Sequence, residues 1–99
     1  QWFDACATGK LEFVQQKKKQ LVKSQDQRKP KDGEKDVIHK FSGLQYAIVY
    51  NNMQVVEELV EFEWQIITTI EYDLQLKQQK QVHIPADSTV LDIVCIVGN

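Results

Sequence analysis

Apolar positions along the first quarter of the chain recur at helical intervals. Trp2 to Ala7 predicts a short helix that Thr8 and Gly9 end, and Leu11, Val14, Lys18, Leu21 and Val22 predict a second helix that stops near Ser24. Residues 25–36 are polar and hold Pro30 and Asp32-Gly33, so they predict a long exposed finger, with Val37-Ile38-His39 returning to the core as a short extended piece. Ser42 is a natural N-cap, because its hydroxyl accepts from backbone N–H groups of a first helical turn. A helix over Leu44 to Tyr50, a turn at Asn51-Asn52 and a helix from Met53 to about Glu63 follow. In the latter, Val55, Val56, Leu59, Val60 and Phe62 are expected on the buried face, with Glu57, Glu58, Glu61 and Glu63 outside.

The period then changes. From Ile66 to Lys77 apolar and polar residues alternate, which predicts a strand over 66–76; Val82-His83-Ile84 supplies a second strand before Pro85, making a β-hairpin. A helix with Ile66, Ile70 and Leu74 on one face is the competing reading. Asp87 or Ser88 would cap a last helix over Val90 to Ile96, with Gly98 as its stop.

One phrase recurs. Ser42 to Val60 reads SGLQYAIVYNNMQVVEELV; residues 2–14 read WFDACATGKLEFV; residues 89–99 read TVLDIVCIVGN. Each copy sets a large apolar residue (Trp2, Leu44, Leu91) three positions before a smaller one (Ala5, Ala47, Val94), and a residue able to turn the chain (Gly9, Asn51, Gly98) four positions later. This phrase resembles the ankyrin repeat, whose pattern runs T-P-L-H-x-A-A-x-x-G-H and continues into a second helix. Leu44, Ala47, Asn51, Val55, Val56, Leu59 and Val60 match in the middle copy, Ala5, Cys6, Gly9, Phe13 and Val14 in the first, and Thr89, Leu91, Gly98 and Asn99 in the last. The opening reads S-G-L-Q and T-V-L-D in place of T-P-L-H, and the copies lie 42 and 47 positions apart, against about 33 in the family.

The resemblance implies a mainly α fold: a stack of helix-pair repeats at about 1–24, 42–63 and 88–99, the last incomplete, with inserted fingers at 25–41 and 64–87, the second a β-hairpin. It implies a protein–protein interaction module or scaffold without catalysis or cofactor. Its contacts would come from the first helices (Tyr46, Val49, Tyr50, Ile93) and the fingers (Arg28, Tyr72, Gln75, Lys77). Cys6 and Cys95 fall in the small-residue slot and are expected buried as free thiols, which fits an intracellular, cytoplasmic setting. Gln45 and Asp92 take the His position and are expected to hydrogen-bond backbone. The initial Gln1 and the unfinished last copy lead us to expect a piece of a longer chain, with an open repeat end through which copies would assemble.

Composition adds constraints. Ninety-nine residues, 42% apolar, bound one modest domain. The net charge of -2 argues against a global attraction to nucleic acid, and no apolar run approaches a membrane span. Lys17, Lys18, Lys19, Lys23, Arg28, Lys29 and Lys31 form a local basic run, so a nucleic-acid-binding module is one alternative, though no aromatic residue interleaves for base stacking. A regulatory α+β domain of a larger enzyme is another. His39, His83, Cys6 and Cys95 lack the close pairing of zinc ligands, and no metal or catalytic site is assigned.

Overall fold

The computed structural model describes residues 1–31, 37–76 and 80–98. Along these the chain forms five helices and one antiparallel hairpin: α1 (Trp2–Thr8), α2 (Leu11–Leu21), α3 (Gly43–Val49), α4 (Met53–Glu63), β1 (Tyr72–Gln75), β2 (Gln81–Ile84) and α5 (Val90–Val97). Together they make a compact α+β globule with a Cα radius of gyration of 12.4 Å.

The two helix pairs are joined by the same turn. Gly9 and Asn51 adopt left-handed conformations, with φ of 80° and 59°. Beyond them Lys10 N donates to Ala5 O at 2.9 Å and Asn52 N to Ala47 O at 2.8 Å, the same bond back across five residues in both turns. At Gly9 an added Cβ would lie 2.8 Å from Asn52 Oδ1, because the Asn52 side chain donates to the carbonyls of Cys6 and Ala7 at 3.0 and 2.7 Å. The first turn is thereby tied to the second. Helix α5 ends in the same manner at Gly98, with φ of 79°.

Capping follows local chemistry. Ser42 Oγ accepts from Gln45 N while Gln45 Oε1 accepts from Ser42 N at 2.8 Å. Thr89 and Asp92 make the same reciprocal box at the start of α5. The backbone roles expected of Gln45 and Asp92 are these, and the cap of α5 is Thr89, in place of the expected Asp87 or Ser88.

Helix α3 is central: all seven of its residues are buried. It packs against α1 on one flank, α5 on another and its own partner α4, while α2 packs on α4 and α5 on β2. The core joins Trp2, Cys6, Leu44, Ala47, Leu59, Ile84 and Ile93. Gly43 sits where α1 comes closest. A Cβ there would meet Cys6 Sγ at 2.9 Å, Trp2 Nε1 at 3.0 Å and Leu59 Cδ1 at 3.2 Å.

Three expectations change. Helix α2 stops at Leu21, short of Ser24, because Lys23 turns left-handed (φ 69°) and gives its N–H to the Glu63 carboxylate at 2.8 Å. Glu63, expected on the outer face of α4, is fully buried; it also accepts from Leu44 N at 2.9 Å and from the Ser42 hydroxyl. The expected strand over 66–76 is confined to 72–75. Thr68 spends its N–H on Ser88 O and its C=O on Asp87 N, so the backbone before β1 follows the loop ahead of α5 and joins no ladder. Tyr72 faces Ile84 and Leu74 faces Val82 toward the core, while Asp73–His83 and Gln75–Gln81 face outward.

Candidate functional site

Of the nominated contact residues, most serve the fold. Tyr46 is buried, donating its hydroxyl to Asp26 Oδ2 at 2.6 Å and accepting from Ile38 N at 2.6 Å. Asp26 is also buried and takes the Arg28 guanidinium at 2.9 and 2.8 Å, from which Arg28 reaches Asp4 at 3.4 Å. Desolvation works against the Asp26 carboxylate, yet hydrogen bonds from Arg28 and Tyr46 outweigh it and hold its pKa below the ordinary value. Desolvation, with the Asp26 bond behind it, pushes the Tyr46 phenol well up. Tyr50 stacks on Tyr46 at 6.4 Å, and Phe41 meets Tyr46 and Tyr72 edge-on at 5.4 and 4.9 Å. Tyr72 donates to His39 O, and burial raises its pKa to about 12.

Arg28, Tyr46, Tyr50 and Tyr72 thus converge on one aromatic and ionic knot that binds the fingers to α3. Val49 and Ile93 are buried too. The same apolar character that recommended Tyr46, Val49, Tyr72 and Ile93 as contacts draws them inside this chain, while the Arg28 side chain stays 45% exposed. Gln75 stands exposed on β1, and Lys77 lies outside the described residues. The basic run is also partly consumed, since Lys18 pairs with Glu58 at 2.8 Å and Arg28 with Asp26.

A group of exposed apolar and acidic side chains lies elsewhere, on α4. Met53, Glu57, Val60, Glu61 and Trp64 stand at i, i+4, i+7, i+8 and i+11 of α4 and its C-cap, which places them on one side of the helix. All five are exposed, Met53 at 53% and Trp64 at 54%. The opposite sides are taken. Val55, Leu59 and Glu63 enter the core, and Glu58 and Phe62 meet α2, where Gln15 and Lys18 donate to Glu58 at 2.9 and 2.8 Å and Lys18 Nζ lies 5.6 Å from the Phe62 ring centre. The Lys18 bond is the chief reason the Glu58 pKa falls below its usual value. Glu57 and Glu61 make no such pair among the described residues. Val60 and Phe62, expected inside, are therefore both exposed.

Past α4, Ile67 and Ile70 are exposed too, and Leu91 on α5 is the most exposed large apolar side chain among the described residues, at 70%. The Thr68–Ser88 pairing brings these segments together, with N–H to O at 3.0 Å and Ser88 N to Thr68 Oγ1 at 2.8 Å. Cys95, expected buried, is exposed, whereas Cys6 is enclosed and its thiol pushed to about 12 by desolvation, with the Glu63 charge adding to it. The difference is topological: α3 covers α1, and nothing described covers the outer side of α5. The sequence carried one signal of this face, a second apolar series in α4 beyond the one the core needs.

On the hairpin, His83 lies between two carboxylates, its Nδ1 2.7 Å from Asp73 and its Nε2 3.5 Å from Glu71. The Asp73 bond raises its pKa. Among the described residues no group of three or more potential ligands is arranged to hold a metal, and no helix is long and apolar enough to cross a membrane. No protein-family model, curated protein or solved structure matches the chain.

Proposed function

We propose that the chain is a protein-binding module on the ankyrin plan, acting as a scaffold without catalysis. Several features support the plan. Trp2, Leu44 and Leu91 each stand seven positions before a left-handed helix terminus, at Gly9, Asn51 and Gly98. Helix α3 lies between α1 and α5, α2 lies on α4, and the two helix pairs share one turn geometry. A finger precedes each later copy. Leu91 keeps the register of Trp2 and Leu44 without their burial, as the outermost member of the row would.

The observation that carries the binding role is the exposure of Met53, Val60 and Trp64 along one side of α4, with Ile67 and Leu91 exposed as well. A soluble chain that leaves several large apolar groups uncovered on one side has a surface suited to protein contact. The engagement of Lys18 and Arg28 in internal ion pairs favours this reading over nucleic-acid binding. An intracellular setting goes with it, since Cys6 and Cys95 are both free thiols. A displayed peptide library panned on the parent chain and on a Trp64→Glu/Leu91→Glu variant of unchanged circular dichroism tests the role. The expected result is a peptide family enriched by the parent and lost on the variant; enrichment of no family, or the same family on both, would reject it.

A further inference from the structure

Taking the binding role as given, we infer that the α4 face docks a basic amphipathic helix of a partner protein. The face has the shape of a helix seat. Met53, Val60 and Trp64 form an apolar stripe along more than two turns, and Glu57 and Glu61 run beside it one turn apart.

The chemistry of the occupant is read from the helix already docked on α4. There α2 lays Gln15 and Lys18 over Glu58 and sets the Lys18 ammonium against the Phe62 ring. One side of α4 thus answers a carboxylate and an aromatic ring with a helix that supplies donors three positions apart. The adjoining side repeats the demand, with Glu57 and Glu61 outside any ion pair among the described residues and the Trp64 indole, Glu61 and Trp64 sharing a shallow pocket with Lys23 and Gln25. A helix carrying Lys or Arg at successive turns beside a Leu-like stripe meets all of it: cations on Glu57 and Glu61, apolar groups on Met53 and Val60, and a cation or methylene stem on Trp64.

A second copy of this chain is the poorer occupant. The side of α2 turned from α4 offers exposed Gln16, Lys17 and Gln20 with a half-buried Phe13, and α1 offers exposed Gln1, Asp4 and Thr8. That surface is too polar to cover the Met53, Val60 and Trp64 stripe.

The probes are two synthetic peptides of about 18 residues, long enough to hold helix, with the same leucine stripe and no aromatic residue. One has lysines flanking the stripe and the other glutamates. Binding is followed by tryptophan emission, to which buried Trp2 gives a constant part and exposed Trp64 the change, and by calorimetry at two salt concentrations. The lysine peptide is expected to shift Trp64 to the blue and to bind at least about tenfold more tightly than the glutamate peptide, less so at high salt. Glu57→Lys/Glu61→Lys is expected to reverse that preference. Equal binding of both peptides, or binding of neither, overturns the basic-helix assignment; if library peptides still depend on Trp64, the wider binding role survives that failure. A dimer in sedimentation that Trp64→Glu dissolves would overturn it in favour of self-association.

Discussion

Gly43→Ala tests how closely α1 and α3 approach. Gly43 is the first residue of α3, so alanine there gains little of the up to about 1 kcal/mol that replacing an interior helical glycine returns. The new methyl would stand 2.9 Å from Cys6 Sγ, 3.0 Å from Trp2 Nε1 and 3.2 Å from Leu59 Cδ1. Cys6 and Leu59 are fully buried and Trp2 nearly so, leaving none of them a path to solvent. Overfilling a packed core costs about 1–3 kcal/mol, so the net loss is about 1–2 kcal/mol. In a domain of this size that lowers Tm by roughly 5–15 °C. Urea and thermal unfolding followed by far-ultraviolet circular dichroism read it directly. Combining the change with Cys6→Ala should show a favourable coupling of about 1 kcal/mol, since removal of Sγ opens the space that the methyl needs. A Gly43→Ala protein as stable as its parent, or a strictly additive double variant, would refute the contact between these helices.

Three further outcomes follow from the charges and thiols. Burial raises the Glu63 pKa, so the folded state binds its proton more tightly than the unfolded chain; parent stability should fall relative to Glu63→Gln as pH rises from about 4.5 through the folded value, and a pH-independent difference would contradict that burial. Iodoacetamide at mildly alkaline pH should label exposed Cys95 in the native protein and reach Cys6, with its thiol near 12, after unfolding; mass spectrometry finding Cys6 labelled as fast as Cys95 would exclude an enclosed thiol. Asp73→Asn should lower the His83 pKa in an NMR titration, and no movement would mean that the pair across the hairpin does not form.

What the sequence disclosed was local. Ser42 with Gln45 and Thr89 with Asp92 are capping pairs three residues apart, and Gly9 and Gly98 announce left-handed ends that few other residues accept. Helix α4 runs from Met53 to Glu63 as its periodicity predicts, because its core side is written in Val55 and Leu59. Which other sides are covered depends on distant partners. Glu63 is buried through donors at Lys23, Ser42 and Leu44, a convergence that no window around residue 63 contains. Ile66 to Leu76 has the alternation of a strand, but Thr68 is claimed by the 85–88 loop, so pairing begins at Tyr72. The candidate face stayed hidden for a related reason: Val60 and Leu91 look like core residues until the element that would cover them is sought and none is found among those described.

The clamp at Asp26 has an engineering consequence. Asp26 N donates to Phe41 O at 2.7 Å, Lys40 N returns a bond to Asp26 O, and Gln25 bridges Ser42. The two ends of the intervening segment are thus stapled at its base, independently of how many residues lie between them. Lengthening such a closed loop costs only about 0.6 kcal/mol per doubling, so a fluorescent tag or epitope spliced next to Lys29 should leave the helices undisturbed.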